Sequence, residues 1–244
     1  MFTDVLTIIS KEWKEMFMAR GSMRSGLFSM LIMVGLLGIF MPLQNGRDWL
    51  NNPLLILIWS WVPVLITLSM VTDSVAGERE RHTLETLLAS RLPEAAILLG
   101  KIGAAVFYAW GIMLTGLLLG AVTINLAFPA SPAFYDLRVF GGVLVFSLLT
   151  SWLFSSIGVL VSLHSKTARQ AYQKMSVVFL LLWFIPMLVI QFLPQEIKAG
   201  LSARLMTLDL NAVLTLGLVI LLIADAALLL VCLSRFQRRH LISL

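Results

Sequence analysis

A chain of 244 residues in which 59% are hydrophobic and only 13% are charged has more apolar surface than a soluble domain of this length can bury. Soluble globular proteins carry roughly 25% charged residues. The composition therefore excludes an ordinary soluble enzyme and indicates an all-α integral membrane protein. The net charge of +5 does not favour nucleic acid as a partner, because the basic residues cluster at the ends of apolar runs.

The first 25 residues place apolar side chains at helical spacing, with charged side chains on the opposite side. Thr3 is expected to cap this helix. We expect an amphipathic helix lying in the inner membrane interface, rather than a helix that packs on a soluble core. The charged residues Lys11, Glu12 and Lys14 also argue against a cleaved signal peptide.

Six apolar runs follow and predict six transmembrane helices in a single membrane domain over residues 1–244. The predicted spans cover about 26–43, 54–72, 102–128, 139–163, 175–193 and 210–233. Pro63 and Pro186 are expected to interrupt the second and fifth spans. Residues 194–209 fit a short helix on the outer leaflet, because apolar residues recur there every four positions. The single cysteine, Cys232, excludes an intrachain disulfide.

Orientation follows from the distribution of basic residues. Most of the 18 Lys and Arg residues fall in the N-terminal segment, in residues 73–101, in residues 164–174 and in the tail. Cytoplasmic connections carry the excess of Lys and Arg in membrane proteins. We therefore expect a multi-pass protein of the cell (inner or plasma) membrane with both termini in the cytoplasm, which requires an even number of spans.

Small residues mark helix faces that allow close packing. Gly116 and Gly120 form a small-xxx-small pair in the third span. In the fourth span one face carries a stripe of small residues, which are Ser147, Ser151, Ser155, Gly158 and Ser162. The stripe favours packing against another helix, and a polar wall along a substrate path is the alternative.

Asp225 is an acid well inside the sixth predicted span. A charged aspartate near the middle of a bilayer costs about 2.5–3.5 kcal/mol on insertion scales, so it must face protein or water, or carry a proton. A hydrogen bond to a neighbouring helix is the favoured interpretation. Contact with a substrate or an ion is the alternative.

Residues 73–101, here called the charged segment, interrupt the apolar pattern with a dense series of charges. Thr83 is expected to cap a short helix in which Leu84, Leu87 and Leu88 share one side. Glu85 and Thr86 lie on the other side. Arg91 and Leu92 are expected to end this helix, and Pro93 to begin the next one.

Exposed leucines beside alternating charges are typical of a protein–protein anchor, in which an apolar knob fills a groove and charges orient it. The charges that precede the helix are Glu78, Arg79, Glu80 and Arg81. This pattern predicts a docking element. A solvated loop whose charges keep it out of the bilayer is the alternative.

The charged segment resembles the signature of the type-2 permeases of ATP-binding-cassette (ABC) transporters. The matching residues are Gly77, Glu78, Arg79, Glu80, Arg81, Thr83, Leu84, Glu85, Leu87, Leu88, Gly100 and Lys101. His82 stands where the family usually has glycine, and Arg91 stands near a common proline. The N-terminal segment and the predicted six-span topology are also similar to this family, so the likeness covers essentially the whole chain.

This resemblance implies a permease subunit, typically of an exporter, that dimerises with an identical or a different permease and binds two copies of an ATPase subunit. The charged segment would supply the coupling helix that docks on each ATPase. ATP and Mg²⁺ would bind to that partner, because Gly100 and Lys101 do not form a phosphate-binding loop, which needs a glycine in place of Ala95 and Ser or Thr in place of Ile102. No catalytic residue, cofactor site or metal site is expected on this chain.

Two other functional classes compete with this interpretation. A secondary transporter or channel subunit driven by an ion gradient usually shows paired broken helices in repeated halves, and the two halves of this chain share only Pro63 and Pro186. An intramembrane hydrolase needs a nucleophile and a base inside the bilayer. All 3 histidines fall in or beside predicted cytoplasmic loops, which disfavours a hydrolase.

Overall fold

The computed structural model describes residues 1–18, 23–52, 55, 58–83, 86–87, 89–129, 132–195, 197, 200 and 210–236. Within these ranges the chain is helical between short turns and contains no β-strand. The helices are α1 (Phe2–Met18), α2 (Met23–Gly35), α3 (Met41–Asn45), α4 (Asp48–Asn51), α5 (Val62–Thr72), α6 (Glu78–Glu80), α7 (Glu94–Ala127), α8 (Leu137–Leu163), α9 (Ala168–Phe192) and α10 (Leu210–Arg235). The π-helical turns Leu36–Phe40 and Asp73–Gly77 join α2 to α3 and α5 to α6.

Three stretches among the described residues are long and apolar enough to cross a membrane, namely α7, α8 and Thr215–Arg235 of α10. A shorter apolar stretch covers Met30–Asn45. The predicted all-helical membrane fold is therefore confirmed, and the count of six spans stays a prediction. Most of the region 194–209, for which a short surface helix is predicted, lies outside the described residues.

Helix α7 is the centre of the bundle. About half of its most apolar stretch is buried (56%), whereas only 11% of the corresponding stretch of α10 is buried. Near its start, Ile97, Leu98 and Ile102 pack with Val71 of α5 and Val159 of α8. Farther along, another part of α7 joins a second cluster that is built around Trp49 and Tyr135. Any displacement of α7 would therefore disturb both ends of the core.

Two glycines of α7 allow neighbouring helices to approach closely. A Cβ added at Gly100 would lie 2.5 Å from the Cβ of Ile8 in α1, and one at Gly116 would lie 2.8 Å from the Cβ of Leu37. Real Cβ contacts are not this short, so a larger residue at either position would push α1 or the Leu36–Phe40 turn away from α7. The predicted packing role of Gly116 is thereby confirmed.

Helix α1 lies along α7 through its buried side chains Ile8 and Ile9, and the indole of Trp13 donates to the carbonyl of Ala104 at 2.9 Å. The predicted amphipathic helix is therefore present, although residues 19–22 lie outside the described part. The predicted cap at Thr3 is wrong, because α1 already begins at Phe2. Within α1, Thr3 offers its carbonyl oxygen to the hydroxyl of Thr7.

Several helix starts differ from the predicted span boundaries. Pro63 does not kink a helix, because α5 begins at Val62 and Pro63 occupies its first turn, where a missing N–H group costs nothing. The backbone of α9 is helical through Pro186. α9 also begins at Ala168, inside the predicted loop 164–174, because the hydroxyl of Thr167 accepts a hydrogen bond from the backbone N–H of Gln170 at 3.2 Å and caps the helix.

Candidate functional site

Within the charged segment, α6 ends in a pair of backbone hydrogen bonds. The N–H of Thr83 donates to the carbonyl of Glu78 at 2.9 Å, and the N–H of His82 donates to the carbonyl of Arg79 at 3.1 Å. This pair of bonds is the Schellman motif that ends many α-helices. The hydroxyl of Thr83 donates to the same Glu78 carbonyl at 3.2 Å, so Thr83 closes the helix before it as well as preceding the next one.

His82 adopts φ +56°, in the left-handed region that favours glycine. This is the C′ position of the Schellman motif, which is usually glycine. The resemblance places a glycine at the same position. The chain therefore keeps the backbone turn that a glycine would make easily, at the cost of holding a histidine in a strained conformation.

Glu78 turns inward from this helix end and enters a buried ion-pair cluster. The cluster, defined as Lys11, Glu12, Glu78 and Lys101, joins α1, α6 and α7. The ammonium group of Lys101 lies 2.7 Å from Glu12 and 3.0 Å from Glu78, and it donates to the carbonyl of Ser74 at 2.6 Å. Lys101 therefore makes two hydrogen bonds, to Glu12 and to the Ser74 carbonyl, and an ion pair with Glu78, although its side chain has no exposed surface.

Lys11 is the outer member of the cluster. Its ammonium group contacts the second oxygen of Glu78, and it lies 3.3 Å from Glu15 and 3.7 Å from Glu12. Burial by itself lowers the pKa of Lys11, but the hydrogen bond to Glu78 and the charges of Glu78, Glu12 and Glu15 outweigh burial and raise the pKa above 10.5. Lys11 therefore keeps its positive charge at all physiological pH values.

Three carboxylates of this region, Glu12, Glu15 and Glu78, place oxygen atoms within 4.8 Å of one another. Such spacing alone would be compatible with a cation site. The ammonium groups of Lys11 and Lys101 already lie between them, and Lys11 contacts all three. The arrangement therefore serves to hold helices together through ion pairs.

Arg79 and Glu80 tie the charged segment to the connection between α8 and α9. The guanidinium of Arg79 donates to the carbonyls of Leu163 at 2.9 Å and Ser165 at 3.2 Å. The carboxylate of Glu80 accepts from the N–H of Ala168 at 3.2 Å, at the N-terminus of α9. A carboxylate at this position satisfies a free N–H group and complements the helix dipole.

Arg81 faces back along its own segment and pairs with Asp73 at 3.3 Å. Gly77 lies beside this pair, and a Cβ at Gly77 would meet the Asp73 carboxylate at 2.4 Å. The signature residues from Gly77 to Arg81 thus all contribute to a compact joint. Spacing alone suggested that their charges face outward toward a partner, but Glu78 and Arg79 are engaged inside the bundle.

The short helix that follows is described only in part. Thr86 and Leu87 are helical, and Leu84, Glu85 and Leu88 lie outside the described residues. Thr86 is exposed as expected, but Leu87 is partly buried and packs against the core cluster around Ile97 and Val71. Leu87 is therefore not an exposed anchor, because its side chain packs against the core of the bundle.

The predicted break between the short helix and α7 is confirmed. Ser90, Arg91 and Leu92 form a bend, Pro93 caps the next helix with an extended backbone conformation, and Glu94 begins α7. The helix that starts after Pro93 runs on without a break into the third predicted span, which begins at Ile102. It carries Lys101 on the same continuous helix that crosses the bundle.

The serine stripe of α8 is buried inside the bundle. Ser147, Ser151 and Ser155 have no exposed surface, and a Cβ added at Gly158 would lie 3.0 Å from Val71 of α5. The hydroxyls of Ser151 and Ser155 have no hydrogen-bond partner among the described residues. This burial fits close packing against another helix, and the packing interpretation stays a prediction. Asp225 is also buried, at 7% exposure, and no hydrogen bond or ion pair of its carboxylate is found among the described residues.

Sequence reasoning missed the long-range part of this site, namely the pairing of Glu12 and Lys11 with the charged segment. One feature of the sequence indicates this pairing. Glu12 follows Ile8 and Ile9 at helical spacing, which puts an acid on the buried face of an amphipathic helix. A buried acid requires a partner of opposite charge.

Comparison with known proteins identifies the family of the chain. No curated protein matches the chain. The family model described as "ABC-2 family transporter protein" matches residues 41–206, which include α3 to α9 and the whole charged segment. The resemblance of the signature to type-2 permeases is confirmed, and the chain belongs to the ABC-2 family of transporter proteins as a membrane permease.

Proposed function

We propose that this chain is the membrane-spanning subunit of an ATP-driven exporter of the cell membrane, and that residues 83–92 form its coupling helix. Two copies of a separate ATPase bind ATP and Mg²⁺, and a second permease, identical or different, completes the transporter. The ABC-2 family implies an ABC ATPase component as partner. Both termini and the charged segment face the cytoplasm in this arrangement, as the distribution of basic residues indicates.

The observation that carries this proposal is the ion-pair cluster beside the proposed coupling helix. Residues 83–92 lie between the Schellman end of α6 and the start of α7, and both flanking elements contribute a member of the cluster. A force applied to this short connection therefore reaches α5, α7 and α1 together. The bonds of Arg79 and Glu80 extend the connection to α8 and α9.

An ion-gradient-driven carrier or channel is not favoured. Such a protein has no need for a docking element next to contacts that join several helices. The family match also supports association with an ATPase.

The proposal is tested by co-purification with the ATPase partner. Replacing Leu84 and Leu88 together by Asp should abolish the complex, because two charges would enter the apolar groove that the coupling helix fills. Leu137→Asp serves as the control, because Leu137 is exposed and begins α8 at the far end from the charged segment. Undiminished co-purification of the correctly inserted double variant would contradict the docking role.

A further inference from the structure

A cavity of about 590 Å³ opens between α1, α2, α5, α7 and α9, beside the ion-pair cluster. Pockets for small organic molecules typically enclose roughly 300–1,000 Å³. The cavity is therefore large enough for a ligand and too large for a packing defect. Nothing in the proposed coupling role requires an empty space here.

One wall of the cavity is apolar and adaptable. Four methionines from three helices meet in it, which are Met16, Met30, Met33 and Met70. Methionine side chains are flexible and polarizable, and they line surfaces that accept apolar groups of varied shape. This wall suits the hydrophobic part of a ligand.

The cavity is also lined by acidic groups. The carboxylates that line it are Glu12, Glu15, Asp73 and Glu78, and the cations that pair with them are Lys11, Arg81 and Lys101. Among the residues that the structure describes, four carboxylates thus share three paired cations, an excess of one negative charge. The side chains of Asp73 and Glu15 are 51% and 46% exposed, so this charge is accessible at the rim of the cavity.

Two tyrosines also line the cavity, Tyr108 on α7 and Tyr172 on α9. The faces of aromatic rings attract organic cations. The cavity therefore combines an apolar wall, aromatic rings and an excess of one negative charge. The lining also contains Arg81, but its guanidinium is paired with Asp73, so the carboxylates outnumber the cations that face the cavity.

We propose that this cavity binds a monovalent amphipathic organic cation, with its apolar groups against the methionines and its charge near Glu15 and Asp73. The identification of this cation as the transported cargo rests on the proposed function. Binding of the cation to the cavity does not depend on the ATPase and can be measured separately.

The test uses two ions of nearly equal size and opposite charge. Binding of tetraphenylphosphonium and of tetraphenylborate is measured by equilibrium dialysis against the full chain in phosphatidylcholine nanodiscs, with empty nanodiscs as the blank. Tetraphenylphosphonium should bind saturably and tetraphenylborate should not. Equal binding of both ions, or no saturable binding of the cation, would overturn the proposal while leaving ATPase co-purification unaffected.

Two variants assign the binding to this cavity. Glu15→Gln removes one negative charge from the rim and should weaken binding of the cation about tenfold, as expected for the loss of one charge at close range. Asp48→Asn makes the same change in net charge at an exposed position in α4 and should leave binding unchanged. Met33→Trp should fill the cavity and abolish binding while the protein still elutes as a folded monodisperse species. Normal affinity in folded Met33→Trp protein would exclude the cavity as the site.

Discussion

The ammonium group of Lys101 lies 2.7 Å from the carboxylate of Glu12, although 89 residues separate the two along the chain. Glu78 shares the same buried lysine at 3.0 Å. Removing Lys101 would leave two carboxylates buried with too little positive charge, which costs about 3–5 kcal/mol. We expect Lys101→Met to lower the free energy of unfolding by about this amount, measured by denaturation of the full chain in lipid nanodiscs.

Lys14→Met is the matched control for that substitution. Lys14 is exposed on α1, so the same loss of charge should change stability by no more than about 0.5 kcal/mol. Equal destabilisation by both substitutions would show that net charge, and not the ion-pair cluster, determines stability.

Two glycines of α7 should respond to alanine in opposite ways. At Gly100 the new methyl group would collide with Ile8 of α1, and we expect Gly100→Ala to destabilise the protein by about 1–3 kcal/mol. At Gly111 no atom lies within 4 Å of the new group, so Gly111→Ala should stabilise the helix by about 0.4–1 kcal/mol. Thermal unfolding of both variants measures the difference, and a change of the same sign at both positions would refute the close contact between α1 and α7.

His82→Gly should stabilise the protein by about 0.5–1 kcal/mol, because glycine adopts φ +56° without the strain that a larger residue experiences. Thr86→Gly is the control. Thr86 is helical and exposed, so glycine there should cost about 0.5–1 kcal/mol. Denaturation curves of the two variants should shift in opposite directions, and destabilisation by His82→Gly would show that the imidazole makes a contact worth more than the strain.

The pH dependence of stability should report on Lys11. Its pKa is raised in the folded protein above 10.5, so its contribution to stability is complete below pH 10.5 and is lost as pH rises through the folded pKa. The carboxylates that stabilise the positive charge of Lys11 are those of Glu78, Glu12 and Glu15. We expect the difference in melting temperature between the wild-type chain and Lys11→Met to be constant from pH 7 to 9 and to shrink above pH 10.5. A difference that grows with alkaline pH would contradict this assignment.

Local features of this fold could be predicted from the sequence, because they depend on neighbouring residues. The break at Arg91 and Leu92 and the helix start after Pro93 follow from backbone preferences within a few residues. Close contact at Gly116 could also be predicted, since small residues on one helix face allow a neighbouring helix to approach closely.

Features that depend on tertiary contacts could not be predicted in the same way. The spacing of Glu78 and Arg79 fits an exposed charged surface as well as a buried one, and the choice is made by Lys101, Glu12 and the carbonyl of Leu163, which are distant in sequence. The prediction that Leu87 lies at the surface is also wrong, since Leu87 packs against the core. Apolar residues continue on both sides of Pro63 and therefore predict that it lies in the middle of a span. In the structure a turn at Trp61 precedes it, and a new helix starts there.

Glu78 and Arg79 face inward, so the first part of the signature contributes to the internal contacts of this subunit. The Schellman end at Thr83 belongs to the same set of contacts. Under the proposed docking role, substitutions at Leu84, Glu85 and Leu88 would change which ATPase is recognised while these internal contacts stay in place.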